Sequence, residues 1–486
     1  MTDNSIARRL ANAVPIACVG LVVFAVGCRL RLLLAGQSFW YDEAYLLRNI
    51  QVKGFADLLG PTLNQQAAPP FFLWLLRLLH DAFGVAEWAM RLPAAVAGVL
   101  AVVIMVPLAA RVVGRPGSLW AVAFAAFAFQ ALLHSNEVKP YSIDLLTTEL
   151  ILLAGAGYFG AETQRRGPLV ALLLLAACAP WVSYPAAFSL GGVGVAWVVR
   201  AIRTSDRGTR LGLAAYTVIG FVSCSLLWYF AARHQRSTEL LAYWWDGFVD
   251  RSGPWQAVVS VVTILRKMGD YATTGMGIPM LVLVPVGWVV LARRAPLMVV
   301  ALVSSLVLAL AASAARAYPL GDRLTLFAAP LFWLPTAAAF GALVPRLTGR
   351  WGVVMLMVLL AVTLVDLGRV IPLVGRGAYG SQFREAFQHV RSGWRDGDRI
   401  WQPYPEVYEV YHGPGWDGFG PLTPNERVVG ESAGRRLWLV SPLDGALEGH
   451  TPLATLEMRL VEAGREKTDE RRFRGLVVRL YEPRPR

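Results

Sequence analysis

Six short arginine-rich segments interrupt a series of long apolar stretches, and their spacing constrains this chain more than any other feature. They are Arg8-Arg9, residues 111–115, Arg165-Arg166, residues 200–210, Arg293-Arg294 and residues 346–350. Short cytoplasmic loops of membrane proteins carry an excess of Lys and Arg. With all six on the cytoplasmic face, the chain crosses an even number of times between neighbouring segments. The segment Phe39-Trp40-Tyr41-Asp42-Glu43 then falls outside, at the end of the first crossing.

Composition agrees with a membrane location. The chain has 486 residues, of which 56% are hydrophobic and 16% charged, more apolar surface than a soluble domain hides. The net charge of +13 does not mark a nucleic-acid face. From residue 375 onward 17 Lys/Arg stand against 16 Asp/Glu, so +12 belongs to the preceding part, much of it in the short cytoplasmic loops. Cys18, Cys28, Cys178 and Cys224 all lie in apolar runs, which suggests neither a disulfide framework nor a Cys-based metal site. Arg29 and Arg31 follow the first apolar run without a small-residue cleavage site, so it reads as an uncleaved helix with its N-terminus inside.

The apolar runs predict helices near 11–35, 92–111, 118–134, 141–160, 168–184, 185–200, 211–232, 276–292, 296–315, 324–345 and 351–373. That is about eleven crossings, each near the ~20 residues a bilayer requires. An odd number puts the C-terminus outside. Residues 70–80 are too short a run before Arg77, His80 and Asp81, and counting them would invert every later arginine loop. They read as an interfacial helix on the outer leaflet. The first outer loop, residues 36–91, then carries two amphipathic segments, 42–51 and 70–83, and a long structured loop of this kind is usually functional. Further outer loops hold residues 134–141, residues 233–270 with Tyr243-Trp244-Trp245, and residues 316–323.

The architecture expected is a polytopic α-helical membrane domain, residues 1–373, followed by a small extracytoplasmic α/β domain, residues 374–486. In the latter, strand-like alternation occupies residues 396–401, 436–440 and 475–481, with short helices at 381–391 and 406–411.

Asp42 and Glu43 follow the first crossing, flanked by Trp40, Tyr41 and Tyr45. One reading is an aromatic interfacial belt with an acidic helix start. The other is a catalytic carboxylate beside the headgroups. Moving a sugar from a lipid phosphate requires a base for the acceptor hydroxyl and a counter-charge for an oxocarbenium-like centre. The phosphate leaving group requires cations, for which Arg91, Lys139, Arg316 and Arg323 are candidates on the outer side. Each of these could instead snorkel or pair with a neighbouring acid, Lys139 with Glu137 and Arg323 with Asp322.

Five segments occur in a characteristic order: Tyr41-Asp42-Glu43-Ala44-Tyr45, residues 66–73 beginning Gln66-Ala67-Ala68-Pro69, Glu87-Trp88-Ala89-Met90-Arg91-Leu92-Pro93, residues 135–144 containing Glu137, Lys139, Tyr141 and Asp144, and residues 318–323. In this order and spacing the chain resembles the GT-C glycosyltransferases related to the family 39 protein O-mannosyltransferases and to the aminoarabinose transferase of lipid A. The resemblance covers the membrane domain and is strongest from 39 to 150. It implies the GT-C fold, a polyprenyl-phosphate-linked sugar donor, inversion at the anomeric carbon, and Asp42 as general base with Glu43 beside it. It implies Arg91 near the lipid phosphate. Lys139 and Arg323 are read beside it as outer-side cations for the phosphate, and Tyr41, Gln66, Glu137, Tyr141 and Asp144 as substrate-binding residues. Relatives often carry a His or a Glu-Lys pair before the proline of the second juxtamembrane helix, where this chain has Gln65-Gln66-Ala67-Ala68. A metal or lysine role is therefore not expected there, and Gln66 is left to bind sugar hydroxyls. No cofactor is implied. A divalent metal is compatible but not required.

The function expected is thus a mannosyltransferase-like cell-envelope enzyme of the inner or plasma membrane, moving a hexosyl or pentosyl unit to a glycan, lipid or protein acceptor, with membrane lipid and no nucleic acid as partners. The alternative is a polytopic transporter or flippase of a lipid-linked or amphipathic substrate. Such proteins carry midplane acids and internal repeats. Here Asp144, Glu149 and Asp366 lie towards the outer halves of their helices, and no repeat is visible. A third reading makes the C-terminal domain the working part, but it shows no phosphate loop, triad or ligand cluster, and is expected to cover the site or seat the acceptor.

Overall fold

The computed structural model describes residues 3–160, 166–204, 206–343, 365–377, 380–402, 404–413, 418–419, 423, 425–442 and 453–484. They divide into two bodies. The first comprises Met1–Leu34, Gly54–Leu78 and Arg91–Arg376; the second comprises Ala35–Lys53, Leu79–Met90 and Gly377–Arg486.

The helices of the first body are α1 (Asp3–Leu33), most of α4 (Glu87–Val112), α5 (Arg115–Phe127), α6 (Phe129–His134), α7 (Tyr141–Phe159), α8 (Arg166–Val182), α9 (Ala186–Arg203), α10 (Arg207–Phe230), α11 (Thr238–Tyr243), α12 (Pro254–Ala272), α13 (Gly277–Ala292), α14 (Pro296–Ala314) and α15 (Ala329–Leu343), with α16 described over residues 365–376. α2 (Tyr41–Val52) belongs to the second body, and α3 (Pro70–Phe83) has residues assigned to each. Among the described residues, seven helices are long and apolar enough to span a bilayer, or eight if α12 and α13, bent by 96°, form one broken span. This count, made over the described residues, does not confirm the expected eleven crossings. Two of the runs, Gly117–Phe127 and Arg166–Val182, are apolar but short, and the run at 351–373 lies mostly outside the described residues, as does the arginine segment at 346–350.

Two local differences matter for the site. The run 118–134 breaks at Ala128, whose ψ of 111° is not helical, so α6 is a separate turn ending at His134. Residues 233–270, expected as a loop, contain α11 and most of α12. Trp255, Val258, Val259 and Val262 are exposed at helical spacing along α12, an apolar stripe with polar neighbours. The segment at 70–80 is helical as expected and is not among the spans.

Helix association in lipid gains little from the hydrophobic effect and relies on close backbone approach at small residues. A Cβ on Gly192 of α9 would lie 2.4 Å from the Ala301 carbonyl oxygen of α14. One on Gly287 of α13 would lie 1.9 Å from the Pro335 carbonyl oxygen of α15. Both contacts exist only because the side chain is hydrogen. The first joins α9 to α14, and the second brings α13 against α15, whose residues from Ala329 to Phe340 are all buried.

The second body is built on a five-stranded sheet in the order β2-β1-β3-β5-β4. Its strands are β1 (Arg399–Trp401), β2 (Gly418–Phe419), β3 (Leu437–Pro442), β4 (Arg465–Phe473) and β5 (Leu476–Pro483). β1 runs parallel to β2 and β3, whereas β3–β5 and β4–β5 are antiparallel. Parallel strands need covered faces, and β3 is buried along nearly its whole length. The covering helices are α17 (Phe383–Ser392), α18 (Pro405–His412), α19 (Asn425–Glu431) and α20 (Leu453–Glu462). Phe383 and Phe387 of α17 are buried, each contributing about 1.5–3 kcal/mol. The strands expected at 396–401, 436–440 and 475–481 are present. β4 was not expected, because its Arg-Glu-Lys-Thr-Asp-Glu-Arg-Arg-Phe sequence is that of a charged edge strand.

Candidate active site

The chain leaves α1 through Gly36, whose φ of +61° suits glycine. Five residues later α2 begins, with Trp40 extended (φ −98°, ψ 168°) at its cap. The Glu43 carboxylate accepts a hydrogen bond from the Trp40 backbone N–H at 3.1 Å, which is half of a capping box. Asp42 and Glu43 lie in the first turn, where negative charge complements the helix dipole. Both are buried, at 5% and 0% exposure. Glu43, carried from sequence as a partner to the base, is thus engaged in fixing the helix start that presents Asp42.

α2 packs on α18 within the second body. Arg48 pairs with Glu409 at 2.8 Å, and Gln51 donates to the Val410 carbonyl at 3.0 Å. Tyr41 stacks on Tyr404 with ring centroids 4.7 Å apart and planes 15° from parallel. Burial, reinforced by the nearby Glu406, Tyr404, Tyr41 and Asp42, pushes the Tyr45 hydroxyl well above its ordinary range, so it remains a neutral hydrogen-bonding group.

A second polar cluster lies in the first body. Pro140 opens α7 directly after the turn from Ser135 to Lys139. The Lys139 ammonium donates to Gln66 Oε1 at 2.5 Å. Glu137 pairs with His134 Nδ1 at 2.7 Å, and His134 Nε2 meets the Tyr271 hydroxyl. Arg323 lies over the rings of Tyr141 and Trp244, at 5.9 and 5.5 Å from their centroids. Arg91, Glu137, Lys139, Tyr141 and Asp144 are all buried, and Asp144 stands in the first turn of α7. The backbone is strained beside two of these residues. Asn64 and Gln65, immediately before Gln66, have φ of 55° and 53°, and Asp322, immediately before Arg323, has φ of 35°. Such outliers are commonest at functional sites.

Of the residues singled out from sequence, Asp42, Glu43 and Tyr41 belong to the second body, and Gln66, Arg91, Glu137, Lys139, Tyr141, Asp144 and Arg323 to the first. Several neighbours had no sequence signal. Gln235 accepts from the Ala68 backbone N–H at 3.0 Å and lies 2.8 Å from the Tyr184 hydroxyl, a pairing that orders the chain beyond Gln66. Nothing in spacing connects residues 68, 184 and 235. His134 and Glu137, three apart, carried the one signal that local periodicity could have supplied. Among the described residues no group of three or more His, Cys, Asp or Glu side chains is placed to hold a metal ion.

Residues 67–237 match the family model described as dolichyl-phosphate-mannose-protein mannosyltransferase. No curated protein matches the sequence. Among solved structures, the chain is similar to ArnT from Cupriavidus metallidurans bound to undecaprenyl phosphate, at 15% identity and a TM-score of 0.54, covering 95% of this chain and 97% of that one. ArnT in the apo state gives 16% identity, the same TM-score, and coverage of 96% and 98%. The archaeal oligosaccharyltransferase AglB from Archaeoglobus fulgidus, in complex with an inhibitory peptide and a dolichol-phosphate, gives 12% identity and a TM-score of 0.52, covering 88% of this chain and 69% of that one.

Proposed function

We propose that this chain, which belongs by its fold to the GT-C superfamily, is a multi-pass membrane glycosyltransferase that moves a sugar from a polyprenyl-phosphate carrier to an acceptor at the outer face. One observation carries the reading: a buried carboxylate, Asp42, in the first turn of the helix that follows the first span, in a fold whose solved relatives are described with undecaprenyl phosphate and dolichol-phosphate.

In the reaction, the acceptor oxygen forms a bond to the anomeric carbon as the bond from that carbon to the phosphate oxygen breaks. The acceptor proton passes to an Asp42 carboxylate oxygen. The bonding electron pair leaves with the polyprenyl phosphate, and attack opposite the leaving group inverts the centre. Arg91, Lys139 and Arg323 are the cations that meet the phosphate, which gains negative charge as it departs. Gln66, already bonded to Lys139, holds that ammonium in place and leaves fewer of its protons free for other partners. Tyr41, Glu137, Tyr141 and Asp144 complete this reading as substrate-binding residues.

The test is the lipid that travels with the protein. Asp42→Asn, extracted from membranes and analysed by mass, should retain a polyprenyl-phosphate sugar that the unsubstituted protein consumes. Absence of any polyprenyl-phosphate species from both preparations would remove the donor assignment.

A further inference from the structure

The linker that delivers Asp42 is held by side chains encoded more than three hundred residues later. Tyr411 accepts a hydrogen bond from the Phe39 backbone N–H at 2.7 Å and donates one to Glu87 at 2.5 Å. Its ring also stacks on that of Phe39, centroids 5.6 Å apart. The other oxygen of Glu87 accepts from Arg384. Arg384 in turn donates to the Gly36 carbonyl at 3.0 Å and to Glu385 at 2.7 Å, and Glu385 accepts from Ser38 at 2.8 Å. Burial alone would lower the Arg384 guanidinium, but the bond to Glu385 and the charges of Glu87 and Glu385 outweigh it and raise it. Burial likewise opposes Glu385, yet the bonds from Arg384 and Ser38 hold its carboxyl below the usual range.

This arrangement is more than α2 needs to stay folded. The apolar face of α2, including Leu46, Leu47 and Ile50, is buried, which already stabilises the helix. A half-buried ionic network adds little stability of its own. Its best-attested role is to choose one register among near-equivalent packings. Register is what a base requires, since slipping a helix by one residue turns its side chains by about 100°. The two amides before α2 are each fixed by a side-chain oxygen, Phe39 by Tyr411 and Trp40 by Glu43. We infer that Tyr411 and Arg384 are positioning residues, which set the rotation of the first turn of α2 and so the direction of the Asp42 carboxylate. The C-terminal part of the chain is then a component of the catalytic apparatus, and this inference rests on Asp42 being the base.

The experiment measures kcat and donor KM for the full-length protein in liposomes. Tyr411→Phe keeps the ring and its stacking but removes the oxygen that holds Phe39. A misplacement on the order of 1 Å costs about 10²-fold, so kcat should fall about 10- to 100-fold while donor KM stays within about twofold. Arg384→Ala should behave alike, and Arg384→Lys should recover part of the loss. In an Asp42→Asn background, Tyr411→Phe should add no further loss, because it acts through a group no longer working. Normal kcat for Tyr411→Phe, with Asp42→Asn inactive, overturns the positioning role alone. An equal further loss in the Asp42→Asn background also overturns it. Normal turnover by Asp42→Asn removes the base and the positioning role together.

Discussion

The Lys139 ammonium and Gln66 Oε1 are 2.5 Å apart, joining the turn before α7 to the strained segment before α3. The contact fixes the end of the Lys139 side chain, and a positioned ammonium is the kind of group a phosphate leaving group needs. Replacing Lys139 by Met should weaken polyprenyl-phosphate binding by more than tenfold, since a charge-assisted hydrogen bond contributes about 1.5–3 kcal/mol. Arg91→Ala should do the same, and Arg203→Ala at the end of α9 should not. Binding isotherms for the three variants decide the matter, and equal affinity for the Arg91 and Arg203 variants excludes Arg91 from the site.

Asp42→Asn preserves shape and removes the ability to take a proton. Turnover should fall about 10²- to 10⁴-fold, with donor affinity little changed. Glu43→Gln should lose less, because an amide oxygen can still accept from the Trp40 N–H. Both are read as single-turnover rates with donor prebound. A smaller loss for Asp42→Asn than for Glu43→Gln would reverse the two roles.

The proposed topology is open to labelling. With native cysteines replaced, a cysteine at position 60 should react with an impermeant thiol reagent from outside, and one at position 203 only after permeabilisation. The opposite pattern would invert the assignment made from the arginine loops.

The second body should lose stability in mild acid. Burial and the adjacent Arg391 charge hold the His412 imidazole below the usual histidine range, and Arg391 donates to its Nδ1 at 2.9 Å. The unfolded chain then binds the proton more readily than the folded one. The stabilising effect is complete above the ordinary histidine value of about 6.5 and is lost as pH falls through it and the lower folded value. Hydrogen exchange of the helix Pro405–His412 in the full protein should accelerate between pH 7.5 and pH 5.5. His412→Gln should flatten that change.

Helix contact in the first body should be intolerant of a single methyl group. Gly287→Ala drives a Cβ into the Pro335 carbonyl and should destabilise by about 1–3 kcal/mol. Gly20→Ala, where nothing lies within 4 Å, serves as the control. Thermal unfolding in detergent compares them, and equal midpoints would remove the close contact from the account.

What could be read in the sequence was what local chemistry encodes. α2 and α3 were legible because their apolar residues recur at helical spacing between polar breaks. The strands β1, β3 and β5 were legible because buried strands are rich in apolar and branched residues. β4 was not, since a charged edge strand looks like a solvated loop. Of the candidate residues, Asp42, Gln66 and Lys139 stood out by type and order. Gln235, Tyr184, Tyr411 and Arg384 did not, because their importance lies in the backbone groups they meet. Those groups are 167, 116, 372 and 348 residues away. No window over the sequence spans such pairs.

The Phe39–Tyr411 hydrogen bond closes 372 residues of chain, and this sets an order of events during synthesis. At ~5–20 residues per second, roughly 20–75 s separate the emergence of the two partners. Throughout that interval the segment bearing Asp42 is already made, while Arg384, Glu385 and Tyr411 have yet to be translated. A chain interrupted before residue 384 carries the carboxylate with none of these three to hold its linker. Translation past Tyr411 is thus a checkpoint: the linker to Asp42 is secured only in a molecule that has been read beyond that residue.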